Sequence, residues 1–171
     1  MLAFFRFGRL GVLPIVAVAM VLASQRVAAQ PPGKTTAATK QGWTVNCANS
    51  GKGLQCKAVQ TLLLRKSRQL LLSVTVLKPD GGNTHSMLIH LPHGLFLPAG
   101  VAVQVDSQAA HKLTIQTCDV KGCYAGLPIS PKQLSMMAKG KRLIISFQNI
   151  KKQKVAVPLP LSGFAEAIRK L

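Results

Sequence analysis

The chain has 171 residues, 22 Lys and Arg against four acids, a formal net charge of +18 and 48 % hydrophobic content. That length suits one domain with its own core, and four acids leave little for paired-carboxylate catalysis. One Trp and one Tyr supply little surface for stacking bases, so the charge does not point to a physiological nucleic-acid partner.

In chain order, Arg6 and Arg9 precede an almost unbroken apolar run from Leu10 to Ala23, and Val27-Ala28-Ala29 places small residues at the −3 and −1 positions of a cleavage site. A basic start, a short apolar stretch and a small-residue exit predict a signal peptide over residues 1–29. The apolar run, about 14 residues, is short of the roughly 20 that cross a bilayer, and Pro14 weakens it as a permanent helix. No transmembrane segment is therefore expected after signal removal. Gln30 to Leu171 then keeps 19 Lys and Arg against 4 acids, a net +15. Gln30–Gln41, "QPPGKTTAATKQ", has no apolar period and reads as a flexible lead-in. The folded domain spans 42–171.

Short strands separated by turn residues fill most of that domain. "GWTVNCA", "LQCKAVQTLLL" and "LLLSVTVLK" come first, the last closed by the turn string "PDGGN" with Asp80. "THSMLIHLP" follows, then an irregular corner "HGLFLPAG". "VAVQVD" alternates Val101, Val103 and Val105 with smaller or polar partners, and "HKLTIQTC" alternates Leu113 and Ile115 in the same way. "CYAGLPI" is another strand. In "SPKQLSMMAKG", Ser130 as N-cap, Pro131 at the first helical position and Gly140 as terminator predict a short helix. "RLIISFQN" and "KVAVPLP" read as the last strands. "LSGFAEAIRKL" closes the chain with Phe164, Ile168 and Leu171 at helical spacing. About eight or nine strands, with turns every 8–12 residues or so, predict an antiparallel sandwich or barrel carrying one or two short helices.

Four cysteines follow the signal: Cys47, Cys56, Cys118 and Cys123. Spacings of C-x8-C and C-x4-C fit neither a zinc site built on close pairs nor a C-x-x-C redox motif. An even number in an exported chain predicts disulfides. Cys47–Cys56 and Cys118–Cys123 are the favoured pairs because each brackets a turn.

The acids Asp80, Asp106, Asp119 and Glu166 fall mostly in turns, with Asp119 placed to cap the Cys118 turn and Glu166 on a helix surface. His85 and His90 have opposite parity on one strand; His90 and His93 flank Pro92 and could converge. No nucleophile or phosphate-loop motif and no cofactor motif appears. The basic residues gather in three clusters: Arg65, Lys66 and Arg68; Lys139, Lys141 and Arg142; Lys151, Lys152 and Lys154. These are the candidate anion-binding residues. One strand over Arg142–Ile150, at roughly 3.3 Å per residue, separates the last two clusters by about 25–30 Å, so each must join charges from other loops at its own end.

Trp43–Cys47, Cys56, "LPHGLFLPAGVAVQVD", "CDVKGCYAG", "LSMMAKG" and "LSGFAEAI" together resemble the invasion associated locus B family of Gram-negative bacteria. The resemblance runs from about Gln41 to Leu171, with departures between Leu62 and Leu72 and in lysine content. It implies an immunoglobulin-like β-sandwich that is exported and periplasmic or outer-membrane-associated, in a family some of whose members are implicated in host-cell entry. Two functions follow as expectations. The first is a non-enzymatic envelope protein whose basic loops meet an anionic surface such as lipopolysaccharide, anionic lipid or a host glycan. The second is an accessory module docking a protein partner in the envelope. A hydrolase with an assembled site is the weaker third.

Overall fold

The computed structural model describes residues 37–39, 42–49, 51, 53–79, 82 and 84–171. The expected signal peptide and Asp80 lie outside those residues, as does the lead-in except for Ala37–Thr39. Among the described residues the strands are β1 (Ala37–Thr39), β2 (Thr44–Asn49), β3 (Leu54–Leu64), β4 (Leu70–Leu77), β5 (His85–Leu91), β6 (Val101–Val105), β7 (His111–Leu113), β8 (Thr117–Asp119), β9 (Gly122–Ile129), β10 (Arg142–Gln148) and β11 (Lys154–Pro160). The helices are α1 (Pro131–Lys139) and α2 (Phe164–Ile168).

Period-two alternation builds the core. Ala58, Gln60 and Leu62 of β3, Leu72, Val74 and Val76 of β4, and Met87, Ile89 and Leu91 of β5 are buried on one parity. Val101 and Val103 of β6, Leu143, Ile145 and Phe147 of β10, and Val157 and Leu159 of β11 are buried likewise. The first group belongs to a seven-stranded antiparallel sheet of order β1-β3-β4-β5-β9-β8, with β2 also on β3; the second to a four-stranded sheet of order β11-β10-β6-β7. The two apolar faces meet as an immunoglobulin-like antiparallel β-sandwich. Gln60 is the polar exception in this core, 1 % exposed, and neither atom of its side-chain amide has a hydrogen-bond partner among the described residues.

Two features depart from the sequence reading. Ala37–Thr39, placed in the flexible lead-in, pairs with Leu62–Leu64. It continues the edge of β3 whose earlier half takes β2, while β4 occupies the other edge. "HKLTIQTC", read as one strand, is two. β7 pairs with β6 in the smaller sheet and β8 with β9 in the larger, so the chain changes sheets across Thr114–Gln116. Leu113 and Ile115 both pack against the core from this crossing, which is why the apolar alternation survives the change of sheet.

The helices seal one end. The Ser130 hydroxyl accepts the Gln133 N–H at 3.2 Å, and the Gln133 side chain accepts the Ser130 N–H at 2.9 Å, a reciprocal cap on α1. Gly140 closes the helix by donating its N–H to the Met136 carbonyl. Phe164 of α2 is fully buried, edge-on to Trp43 with ring centroids 4.7 Å apart, and the Trp43 indole N–H donates to the Pro160 carbonyl at 3.2 Å.

Candidate functional site

The disulfides fix two hairpins. Cys47 lies opposite Cys56 in the β2–β3 register, and Cys118 opposite Cys123 in β8–β9. Each pair is bonded, with Cα atoms 4.0 Å apart, the close spacing of a non-hydrogen-bonded antiparallel pair. The local pairing expected from the turns is the one found.

Register also decides where the loops go. Thr61, Ser73, His90, Tyr124 and Thr117 form one row across β3, β4, β5, β9 and β8. Beyond this row, at one end of the larger sheet, lie the β3–β4 turn, the exit of β5 into the 92–100 corner, and the tip of the β8–β9 hairpin. The corner is tied to the hairpin by two histidines. His90 donates from Nε2 to the Lys121 carbonyl at 3.0 Å and stacks on Tyr124 with centroids 4.5 Å apart. His93 donates from Nε2 to the Asp119 carbonyl at 2.7 Å. His90 and His93 thus do converge, but on backbone carbonyls; the described residues hold no cluster of three metal-ligating side chains. His85, on the core-facing parity of β5, has its pKa lowered by burial and then by Lys78.

Asp119 has the capping role its sequence position suggests. One carboxylate oxygen accepts the N–H of Lys121 at 2.7 Å and of Gly122 at 3.2 Å, and the Tyr124 hydroxyl at 3.4 Å. The Lys121 N–H, followed by the other donors, holds its carboxyl below the ordinary value in spite of some desolvation. The same tip needs Gly122. Its φ is +147°, and a Cβ there would fall on the Leu91 carbonyl oxygen and 2.7 Å from His90 Nε2.

The β10–β11 turn docks on the corner from the smaller sheet. Ile150 donates its N–H to the Gly94 carbonyl and Phe96 donates to the Gln148 carbonyl, both at 2.9 Å. The Lys152 ammonium lies 5.0 Å from the centre of the Phe96 ring. This geometry sorts the candidate cations. Arg65, Lys66 and Arg68, exposed in the β3–β4 turn, and Lys151, Lys152 and Lys154, exposed on the β10–β11 turn, share one end of the sandwich. Lys121, which the sequence reading passed over, joins them on the hairpin tip. Lys154 and Lys112 line a shallow groove beside the corner.

Lys139, Lys141 and Arg142 stand apart. Arg142 pairs with Pro160 and Gln148 with Lys154, so this cluster occupies the far end of β10. There the Asp106 carboxylate accepts the N–H groups of Lys141 at 3.0 Å and Arg142 at 2.9 Å. The Lys141 N–H, then that of Arg142 and both positive charges, lower the Asp106 pKa against desolvation. A carboxylate therefore sits within this cluster. Glu166 pairs with Lys170 on the surface of α2 at 3.4 Å. A small apolar pocket, about 30 Å³, lies between Met87 and Leu127 of one sheet, Val103 and Leu143 of the other and Met137 of α1. No helix among the described residues is long and apolar enough to cross a membrane.

Comparison with known proteins agrees with this architecture. The model of the invasion associated locus B (IalB) protein family matches residues 43–171. Invasion protein B homologs of Brucella abortus strain 2308 and of biovar 1 strain 9-941 are each 29 % identical over 147 residues, covering 84 % of this chain and 84 % of theirs. The crystal structure of invasion associated protein B from Bartonella henselae superposes with a TM-score of 0.68 at 20 % identity, over 78 % of this chain and 92 % of that one.

Proposed function

The chain belongs to the invasion associated locus B family, and from that premise we propose that it is a non-enzymatic exported protein of the envelope, periplasmic or outer-membrane-associated. Its basic loops engage anionic surfaces and so contribute to contact with a host cell. The observation that carries this reading is the gathering of exposed cations from three separate loops at one end of the sandwich, where the Asp119 carboxylate is already bonded to its own hairpin. A spread of point charges on loops suits an extended polyanionic surface better than a small ligand. The names of the Brucella and Bartonella relatives, which carry the word invasion, support the host-cell part.

The test is co-sedimentation with vesicles containing anionic lipid across a salt series. Binding is expected at low ionic strength and falls as salt screens the charges. Lys151→Glu with Lys152→Glu weakens it by at least roughly 30-fold: losing the two lysines costs about 1 kcal/mol each near a charged membrane, and the new carboxylates add repulsion. Lys139→Glu with Lys141→Glu, at the far end, weakens it far less. Absence of binding at low salt, or equal losses from the two pairs, overturns the proposal.

A further inference from the structure

The same end of the sandwich carries a second kind of surface. Of the five large hydrophobic side chains exposed among the described residues, three stand here: Val120 at 94 %, Ile150 at 68 % and Leu97 at 47 %. Hydrogen bonds place them together. Val120 follows Asp119, whose carbonyl is held by His93, and the Ile150 N–H is held by the Gly94 carbonyl. Two neighbouring corner residues thus anchor two aliphatic tips, and Leu97 is three residues further along the same corner. Each tip has a cation beside it in sequence or across the corner: Lys121 follows Val120, Lys151 and Lys152 follow Ile150, and Lys152 reaches over Phe96.

Resting on the reading that these loops meet an anionic surface, we propose that Leu97, Val120 and Ile150 insert between the headgroups of an anionic phospholipid bilayer while Lys121, Lys151 and Lys152 meet its phosphates. Aliphatic tips interleaved with lysines match the two layers of such an interface, apolar below and negative above. A soluble polyanion would use the lysines and gain nothing from side chains exposed on three projecting loops. The Val120 tip is braced by the two histidine clamps, the Cys118–Cys123 bond and the Asp119 cap, and the Ile150 tip by its bond to the Gly94 carbonyl, so little ordering is needed on contact.

Single tryptophans placed at the tips test it. The emission of Val120→Trp and Ile150→Trp should shift to the blue on mixed phosphatidylcholine–phosphatidylglycerol vesicles and be quenched by bromine on the acyl chains. Leu54→Trp, equally exposed at the start of β3 and away from this end, should not respond. Trp43, packed on Phe164, is a constant background. Val120→Ser with Ile150→Ser should keep the fold by circular dichroism and keep low-salt binding, yet lose on the order of 10- to 100-fold of the binding that survives high salt. Vesicle binding with no blue shift at either tip overturns the insertion and leaves charge-driven adsorption standing. No binding by any form removes both proposals. A blue shift that grows with protein concentration without vesicles assigns the tips to a second copy of the chain and overturns it too.

Discussion

Replacing Gly122 by Ala tests the geometry on which the loop end depends. At φ +147° an L side chain is strained, a cost of about 1–3 kcal/mol. In addition the new methyl group would fall on the Leu91 carbonyl oxygen and 2.7 Å from His90 Nε2; such overpacking costs about 1–3 kcal/mol. We therefore expect a loss of about 4 kcal/mol. Gly163→Ala is the matched control. Its φ is +81°, but nothing lies within 4 Å of the added carbon, so the backbone term acts alone, about 1–2 kcal/mol. The assay is urea unfolding followed by far-UV circular dichroism. With a slope of about 2 kcal/mol per molar, the midpoint falls by about 2 M for Gly122→Ala and by less than about 1 M for Gly163→Ala. Equal shifts in the two variants would refute the close approach between the hairpin tip and the β5 exit.

Gln60→Leu should raise stability by about 1–2 kcal/mol, since a buried amide without partners is replaced by an apolar side chain between Ala58 and Leu62; a lower melting temperature by calorimetry would show instead that the amide is satisfied. Cys118→Ser with Cys123→Ser should cost about 2 kcal/mol and Cys47→Ser with Cys56→Ser slightly more, as sequence separations of 5 and 9 imply under the loop-entropy relation. Unchanged urea midpoints would contradict this. The Asp106 and Asp119 pKa values are lowered in the folded chain from an ordinary 3.8. Their stabilisation is thus full above that value and is lost as pH falls through the lower folded values. Asp106→Asn with Asp119→Asn should flatten the fall of melting temperature below about pH 4, and an unaltered acid slope would disprove the assignment.

Much of the fold was legible from alternation and turn chemistry. Leu54–Leu64 and Pro131–Lys139 coincide with the segments read from sequence because β3 is a long apolar-rich run and α1 carries its own cap. The sheet change at Thr114–Gln116 left no mark, since Leu113 at the end of β7 and Ile115 within the crossing both pack against one shared core. β1 was hidden for a different reason. Ala37–Thr39 has weak strand character, and its pairing comes from the open edge of β3 rather than from its own residues. The candidate cations were visible one by one, but not their grouping. That required the row from Thr61 to Thr117, which places loops more than 50 residues apart in sequence at one end. Lys121 and Val120 were passed over because a turn between two cysteines reads as a staple. His90 and His93 were seen as a possible pair, yet their partners are carbonyls 31 and 26 residues away, and no spacing rule reports a backbone partner.

Cross-linking of directly facing neighbours has a consequence for how the protein matures. Each thiol meets its mate inside a single ribbon of the chain, and a loop of that size closes in on the order of 10–100 ns, whereas oxidation takes seconds or longer. Each thiol therefore encounters its own mate many times, and far more often than it meets a distant thiol, before an oxidant arrives. Maturation calls for an oxidant that accepts the electrons of four thiols, and local encounter favours the native bonds over mispaired ones.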